Sequence, residues 1–371
     1  MRIGIITLNS HANYGGILQA YALCMTLKSL GHDAKVVYLP VRWQLAWYKK
    51  PLVYAKRCLK KMRDKKIVIF QEKYLTETFA IVSKETQSFI DHYTPHVLVD
   101  SYTDLQEKDW DAFVVGSDQV WRPGYMGAHV EHAFLKFAEN WNVKRVAYAA
   151  SFGVDTWLFR RSQDDTIKCL MKKFDAVSVR EESAVLLCKE HWDIDAKQVL
   201  DPTFLLKTKD YESLVIKSNT PESPGNLLCY VLDESERTKR IIELVEANNH
   251  LKSFRVNSKY EDNSAPLNER IQPSVEQWLR GFMDAEMVLT DSFHACVFSI
   301  IFNKPFIVVG NNKRGNTRFD SLLKTFGLSD RFLFDINDLE RMNSAIEWCK
   351  VNTIIEKLKM DSIDFIKGSL S

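Results

Sequence analysis

The sequence predicts an α/β protein with parallel sheets, built as two Rossmann-like domains facing across a cleft. Three observations predict it. Strand-like apolar runs alternate with helical patterns from the first residues onward. The chain has 371 residues, more than one hydrophobic core usually serves. A polar segment at 207–225, holding Pro221, Pro224 and Gly225, interrupts the alternation. That segment reads as a hinge between a first domain at 1–206 and a second at 226–371.

The elements follow in order. "RIGIITL" is a buried first strand, and its apolar run is too short for a signal peptide. "ILQAYALCMTLKSLG" places Ile17, Leu18, Tyr21, Cys24 and Leu27 at helical spacing, with Gly31 as the stop. "DAKVVYL" is the next strand, so the opening is a βαβ unit with a right-handed crossover. Strands recur at 111–117, 145–151 and 174–180. Past the hinge, 226–233 is a strand, 235–249 a helix, 253–258 a strand and 274–285 a helix. "EMVLTD" is a strand, "SFHACVFSIIFN" a helix and "PFIVVG" a strand. From about residue 338 the tail has helical periodicity, and it is expected to pack back on the first domain.

Composition excludes several classes. Net charge is +2, so no global field draws the chain to nucleic acid. No apolar stretch approaches the roughly 18 residues that span a bilayer. The seven cysteines form no C-x-x-C pair and read as reduced packing residues of a cytoplasmic protein. One segment is unusual. Residues 43–66 hold nine Lys/Arg and one Asp, interleaved with Trp43, Trp47, Tyr48 and Tyr54. A helix of that composition is either a solvated surface element or a contact to anionic membrane.

Sheets of this kind bind ligands beyond the carboxyl ends of their strands. Asn13, Tyr14 and Gly15 follow the first strand, where Gly15-Gly16 lets the chain turn into a helix. Ser117, Asp118 and Gln119 end another strand and suit sugar hydroxyls, with Trp121 placed to stack on a sugar face. Arg180 ends an apolar strand. It either pairs with Glu181, Glu182 or another acid, or forks onto an anionic ligand. In "VLTDSFHACVFSI", Asp291 or Ser292 is expected to cap a helix whose first turn carries His294. A helix N-terminus favours an anion. One strand later, Lys313, Arg314 and Arg318 concentrate positive charge. A small ligand with two anionic groups suits this set.

In its ordered motifs the chain resembles the polysaccharide pyruvyl transferases, notably the subgroup of capsule and exopolysaccharide clusters. The motifs are "NYGGILQAYAL", "VVGSDQVW", "YAASFG", "VSVREESA", "VLDPTFLL" and "LTDSFHACVFSIIFNKPFIVV". "DSFH" stands where many members carry "RLH". The resemblance implies a GT-B-like fold, phosphoenolpyruvate as donor substrate and no cofactor or metal. It implies that two hydroxyls of a sugar become a pyruvate ketal as phosphate leaves. The acceptor expected by analogy is the galactose 4,6-hydroxyl pair of a lipid-linked saccharide. The resemblance places Arg180 and His294 on donor-site positions, with Lys313 or Arg314, and the charge and helix-end reading adds Ser292 and Arg318 as expected donor contacts. His294 is expected to be the acid or to protonate the departing phosphate, and Asp118 to deprotonate the acceptor or to bind one of its hydroxyls. Two rivals stay open at this point. One is a nucleotide-sugar glycosyltransferase of the same architecture. The other is a glycan- or lipid-binding protein without catalysis.

Overall fold

A computed structural model describes residues 1–9, 11–41, 43, 45–63, 67–310 and 317–371. The first sheet has seven strands: β1 (Arg2–Ile6), β2 (Asp33–Tyr38), β3 (His96–Leu98), β4 (Ala112–Val115), β5 (Lys144–Ala150), β6 (Ala176–Val179) and β7 (Lys197–Gln198). They lie in the order β3-β2-β1-β4-β5-β6-β7. The second sheet has five: β8 (Leu227–Tyr230), β9 (Ser253–Phe254), β10 (Met287–Thr290), β11 (Phe306–Val309) and β12 (Phe332–Leu333). Their order is β12-β11-β10-β8-β9. Every pairing in both sheets is parallel. Central strands such as β4, β8 and β11 are buried throughout, which is why they read as unbroken apolar runs.

Strand order reverses between β1 and β4, and again between β8 and β10. Loops diverge at such points and leave a crevice at the carboxyl edge. The segments after β1, β4, β8 and β10 therefore meet there.

The helix α1 (Tyr14–Ser29) starts earlier than its periodicity suggests. Asn13 caps it, its side-chain oxygen accepting from the Gly16 amide at 3.1 Å. Thirteen of its sixteen residues are buried, so α1 is not a one-sided surface helix. It lies between β2, the turn Pro202–Leu205 and the helix Phe293–Ile301. One hydrophobic cluster accordingly runs from Ile3 and Ile5 through Leu18 and Leu23 to Leu228, Val288 and Phe298. The two sheets thus share a core, and the cleft opens only at their polar edges. A second cluster under the first sheet holds Trp121, Phe134 and Trp192.

Several segments differ from the reading by pattern. Within 207–225, residues Thr208–Lys217 form a helix that buries Tyr211, Leu214 and Val215. The polar composition masked those three helically spaced positions. The strand at 253–258 shrinks to Ser253–Phe254 at the sheet edge. The tail becomes the helix Trp348–Leu370, which lies on the first sheet. Leu200 donates its amide to Ser362 Oγ at 3.1 Å, and Phe365 meets the ring of Tyr148. Cys24, Cys188, Cys229 and Cys296 are buried and unbridged, but Cys58, Cys169 and Cys349 are exposed and pack nothing. Between β2 and β3 stand α2 (Lys50–Lys61), α3 (Gln71–Val82) and α4 (Lys84–Tyr93). Among the described residues, no helix is long and apolar enough to cross a membrane.

Candidate active site

A cavity of about 350 Å³ opens where the two carboxyl edges meet. The first sheet contributes Asn13 and Gly15 after β1, and Asp118 and Gln119 after β4. The second contributes Ser292 and His294 after β10, with Arg318 beyond β11. Two helix N-termini face each other here. α1 begins at Tyr14 and the other helix at Phe293, so Gly15 and His294 each occupy a first turn. A methyl group on Gly15 would overlap the imidazole of His294. Glycine is what lets the two ends approach. Both helix dipoles then point their positive ends at one space, which favours an anion there.

The expected cap after β10 is absent. Ser292 makes no side-chain capping bond, and its own amide donates to Thr290 Oγ1 at 2.9 Å. Asp291 works elsewhere. Its two oxygens accept from the Leu232 and Asp233 amides at 2.7 and 3.0 Å. That carboxylate ties the loop after β8 to the loop after β10, across the reversal of strand order. With no side-chain cap, the N-terminal amides of the helix carrying His294 are left for a ligand.

Behind the cavity lies a buried polar hub centred on Asp201. Arg180 Nη1 donates to Asp201 Oδ2 at 2.9 Å, and Arg180 Nε donates to Glu181 Oε1 at 3.1 Å. Ser117 Oγ also donates to Asp201 Oδ2, at 3.1 Å. Thr203 fills the other carboxylate oxygen with its amide and hydroxyl, at 3.1 and 2.8 Å. Ser151 Oγ donates to Glu181 Oε1 at 2.6 Å. His294 Nε2 stands 3.7 Å from Asp201 Oδ2. Burial pushes the Asp201 carboxyl up, but His294 and Arg180 outweigh it and hold it well below the usual carboxylate range. Burial also opposes the charge of Arg180, and Glu181, Asp201 and Asp118 more than offset that.

The two buried arginines differ. Arg180 keeps a single atom, Nη2, without a hydrogen bond, 3.8 Å from Asp118. Arg318 makes no hydrogen bond or ion pair among the described residues, and its Nε is buried without a partner. Burial depresses its pKa and repulsion from Arg180 adds to that, while Asp118 and Glu181, not in contact with it, offset only part. Both guanidinium groups lie over the ring of Phe293, at 4.3 Å for Arg180 and 5.4 Å for Arg318.

Not every expected residue faces the cavity. Arg180 lines a smaller neighbouring space of about 130 Å³, with Phe293 and Arg318 as the shared wall. Of its candidate acids it takes Glu181 and Asp201, while Glu182 pairs with Lys324. Tyr14 is buried, stacked on Trp278, and its hydroxyl donates to the Pro273 carbonyl at 2.8 Å. It holds the domains together and is not an acceptor contact. Trp121 is buried in the second core, against Phe134, with Nε1 donating to the Ala133 carbonyl at 3.2 Å. It cannot stack on a sugar. The chain turns at Asp118, whose φ is 69°, and Trp121 passes inward with its amide on the Ser151 carbonyl. Ser117 is fully buried and spent on Asp201. Gln119 faces the cavity and accepts from Arg122 at 2.8 Å. Lys313 and Arg314 lie outside the described residues.

Pattern reading passed over Asp201, Phe293, Tyr230 and Tyr260, although the last three line the cavity. Two signals were present. Asp201 precedes a proline just after the apolar pair Val199-Leu200, and Tyr230 ends β8.

Solved structures resemble this fold over its whole length. The UDP-GlcNAc 2-epimerase of Neisseria meningitidis, bound to UDP-GlcNAc, is 12% identical, with a TM-score of 0.51 and 100% of this chain and 99% of that chain covered. Arabidopsis thaliana UGT89C1, complexed with UDP-L-rhamnose, is 10% identical, with a TM-score of 0.52 and coverages of 100% and 98%. At such identities the likeness is one of fold, the GT-B arrangement of two Rossmann-like units. No curated protein matches the chain by sequence. Residues 13–313 match the family described as polysaccharide pyruvyl transferase. That match begins at Asn13 and takes in the loops after β4, β6 and β10, and by it the chain belongs to the polysaccharide pyruvyl transferase family.

Proposed function

We propose that the chain transfers the enolpyruvyl group of phosphoenolpyruvate to two hydroxyls of one sugar. The observation that carries the reading is Arg318. It is a buried guanidinium that makes no hydrogen bond or ion pair among the described residues, and it shares the cavity wall with His294, where two helix N-termini converge. An unpaired buried charge is costly, and a dianionic donor relieves it. Arg318 holds one anionic group of the donor, and Arg180, behind the shared wall, positions the site through its acids. The N-terminal amides beside Ser292 and His294 hold the other.

The chemistry balances without a cofactor. The methylene carbon of the donor gains a proton and becomes the methyl group. The adjacent carbon takes up the first hydroxyl oxygen, its bond to the phosphate oxygen breaks, and the second hydroxyl oxygen closes the ketal. The two hydroxyl protons end on the methyl group and on inorganic phosphate. His294, in the first helical turn facing the cavity, delivers the proton. Asp201 orients the ring from behind its Nε2. Asp118 and Gln119 take sugar hydroxyls on the opposite wall, and Asp118 accepts a proton from one.

The acceptor proposed is the 4,6-hydroxyl pair of galactose in a lipid-linked saccharide. The setting is capsule or exopolysaccharide synthesis at the cytoplasmic face of the membrane. Family resemblance supports this part. The test is phosphate release from phosphoenolpyruvate in the presence of a terminal galactoside. Wild type is expected to release phosphate only with acceptor present, and His294→Gln to be slower by about 10²–10⁴-fold. Release at the wild-type rate by the variant would remove His294 from the reaction. Absence of release by wild type with every pyruvylatable sugar would remove the reaction itself.

A further inference from the structure

We infer that α2 is a membrane-docking helix that lays its apolar face into the interface of an anionic bilayer. The inference stands apart from the donor chemistry, because lipid binding needs neither donor nor acceptor.

The helix is amphipathic in an inverted sense. Val53, Tyr54 and Arg57 face the protein, where Arg57 forks onto Glu72 at 2.7 and 2.8 Å and Tyr54 meets Phe70. No residue of α2 is fully buried. Its most apolar stripe points the other way. Leu52, Ala55, Leu59 and Met62 recur at the spacing of one helical face, and all four are exposed. Leu52 is 77% exposed, Leu59 67% and Met62 83%. Trp47, at 81%, and Tyr48, at 64%, stand exposed in the turn that leads into the helix. A soluble protein rarely leaves such a stripe in water without a use for it.

Charge identifies the occupant. Lys49, Lys50, Lys56, Lys60, Lys61 and Arg63 surround the stripe, and none has an acid partner among the described residues. The described residues from 43 to 63 contain no acid at all. A second copy of α2 would set these cations against their own kind. Nucleic acid would satisfy the charge and leave the leucines wet. A bilayer with anionic headgroups takes both, with lysines at the phosphates, leucines among the acyl chains, and Trp47 and Tyr48 at the level where aromatic side chains concentrate. Topology adds a reason. α2 belongs to the segment that leaves the carboxyl end of β2, the same sheet edge on which the cavity opens. A helix docked there brings the cavity to the membrane surface.

Co-sedimentation of the full chain with vesicles tests this. Wild type is expected to pellet with phosphatidylcholine vesicles that contain phosphatidylglycerol, to stay in solution with phosphatidylcholine alone, and to be released by salt. Leu52→Ser with Leu59→Ser and Met62→Ser should weaken vesicle binding about tenfold or more. Lys56→Glu with Lys60→Glu should do the same through charge alone. All five side chains are exposed, so both variants should keep the wild-type melting temperature, which is measured alongside. Wild type remaining in solution with the anionic vesicles would overturn the inference. So would wild-type binding by both variants, or a wild-type dimer in sedimentation that the leucine variant dissolves.

Discussion

Arg180 and Arg318 lie over the same phenylalanine ring and are both buried, yet their surroundings are opposite. Arg180 is enclosed by Asp201, Glu181 and Asp118. Arg318 has no acid partner among the described residues and is repelled by Arg180. The first is compensated within the fold and positions the site. The second is left for something that arrives. Side-chain chemistry alone does not separate a structural cation from a binding one; carboxylates in direct contact do. The same contrast divides the cleft, with a charge-paired polar hub behind and an uncapped helix with His294 in front.

The sharpest way to break this comparison is to remove each arginine in turn. Arg180→Met strands Asp201 and Glu181 in the interior, and stability in urea should fall by about 3–5 kcal/mol. Arg318→Met strands nothing, and the same measurement should show a change within about 1 kcal/mol, with a gain as the natural direction. Equal losses from the two substitutions would erase the distinction.

Gly15→Ala tests the front of the cleft. The added methyl must displace His294, so turnover of the folded variant should drop by about 1–3 kcal/mol of activation energy, and the melting temperature should fall as well. Unchanged turnover would mean that the ring position is not critical. The hub can also be titrated. The Asp201 carboxyl is held below its unfolded value, so its contribution to stability is present above about pH 4 and is lost as pH falls toward the folded value. Wild type should therefore lose stability steeply below about pH 4, and Asp201→Asn should show a shallower acid limb from a lower starting point.

Much of this was legible in the chain. Alternation of strand and helix patterns indicates parallel sheets, and the polar residues after β1, β4, β6 and β10 mark the edge where the cavity lies. Direction was the part that stayed hidden. Tyr14 and Trp121 follow strand ends just as Asn13 and Gln119 do, and a linear pattern does not tell which side of the turn each side chain takes. The shared core settles Tyr14, because the second domain supplies Pro273 and Trp278 to receive it. The left-handed backbone at Asp118 sends Trp121 inward. Asp201 was hidden for a related reason. Its three main partners, Ser117, Arg180 and His294, are 84, 21 and 93 residues away, a convergence that only the assembled sheets create.

The most direct test of the central claim is calorimetric titration of phosphoenolpyruvate into wild type and Arg318→Met, without acceptor, with UDP as the competing ligand. The account predicts saturable binding of phosphoenolpyruvate by wild type, a loss of about ten- to a hundredfold in the variant, and no competition from UDP. Binding of UDP in place of phosphoenolpyruvate, or a variant that binds phosphoenolpyruvate as wild type does, would contradict it.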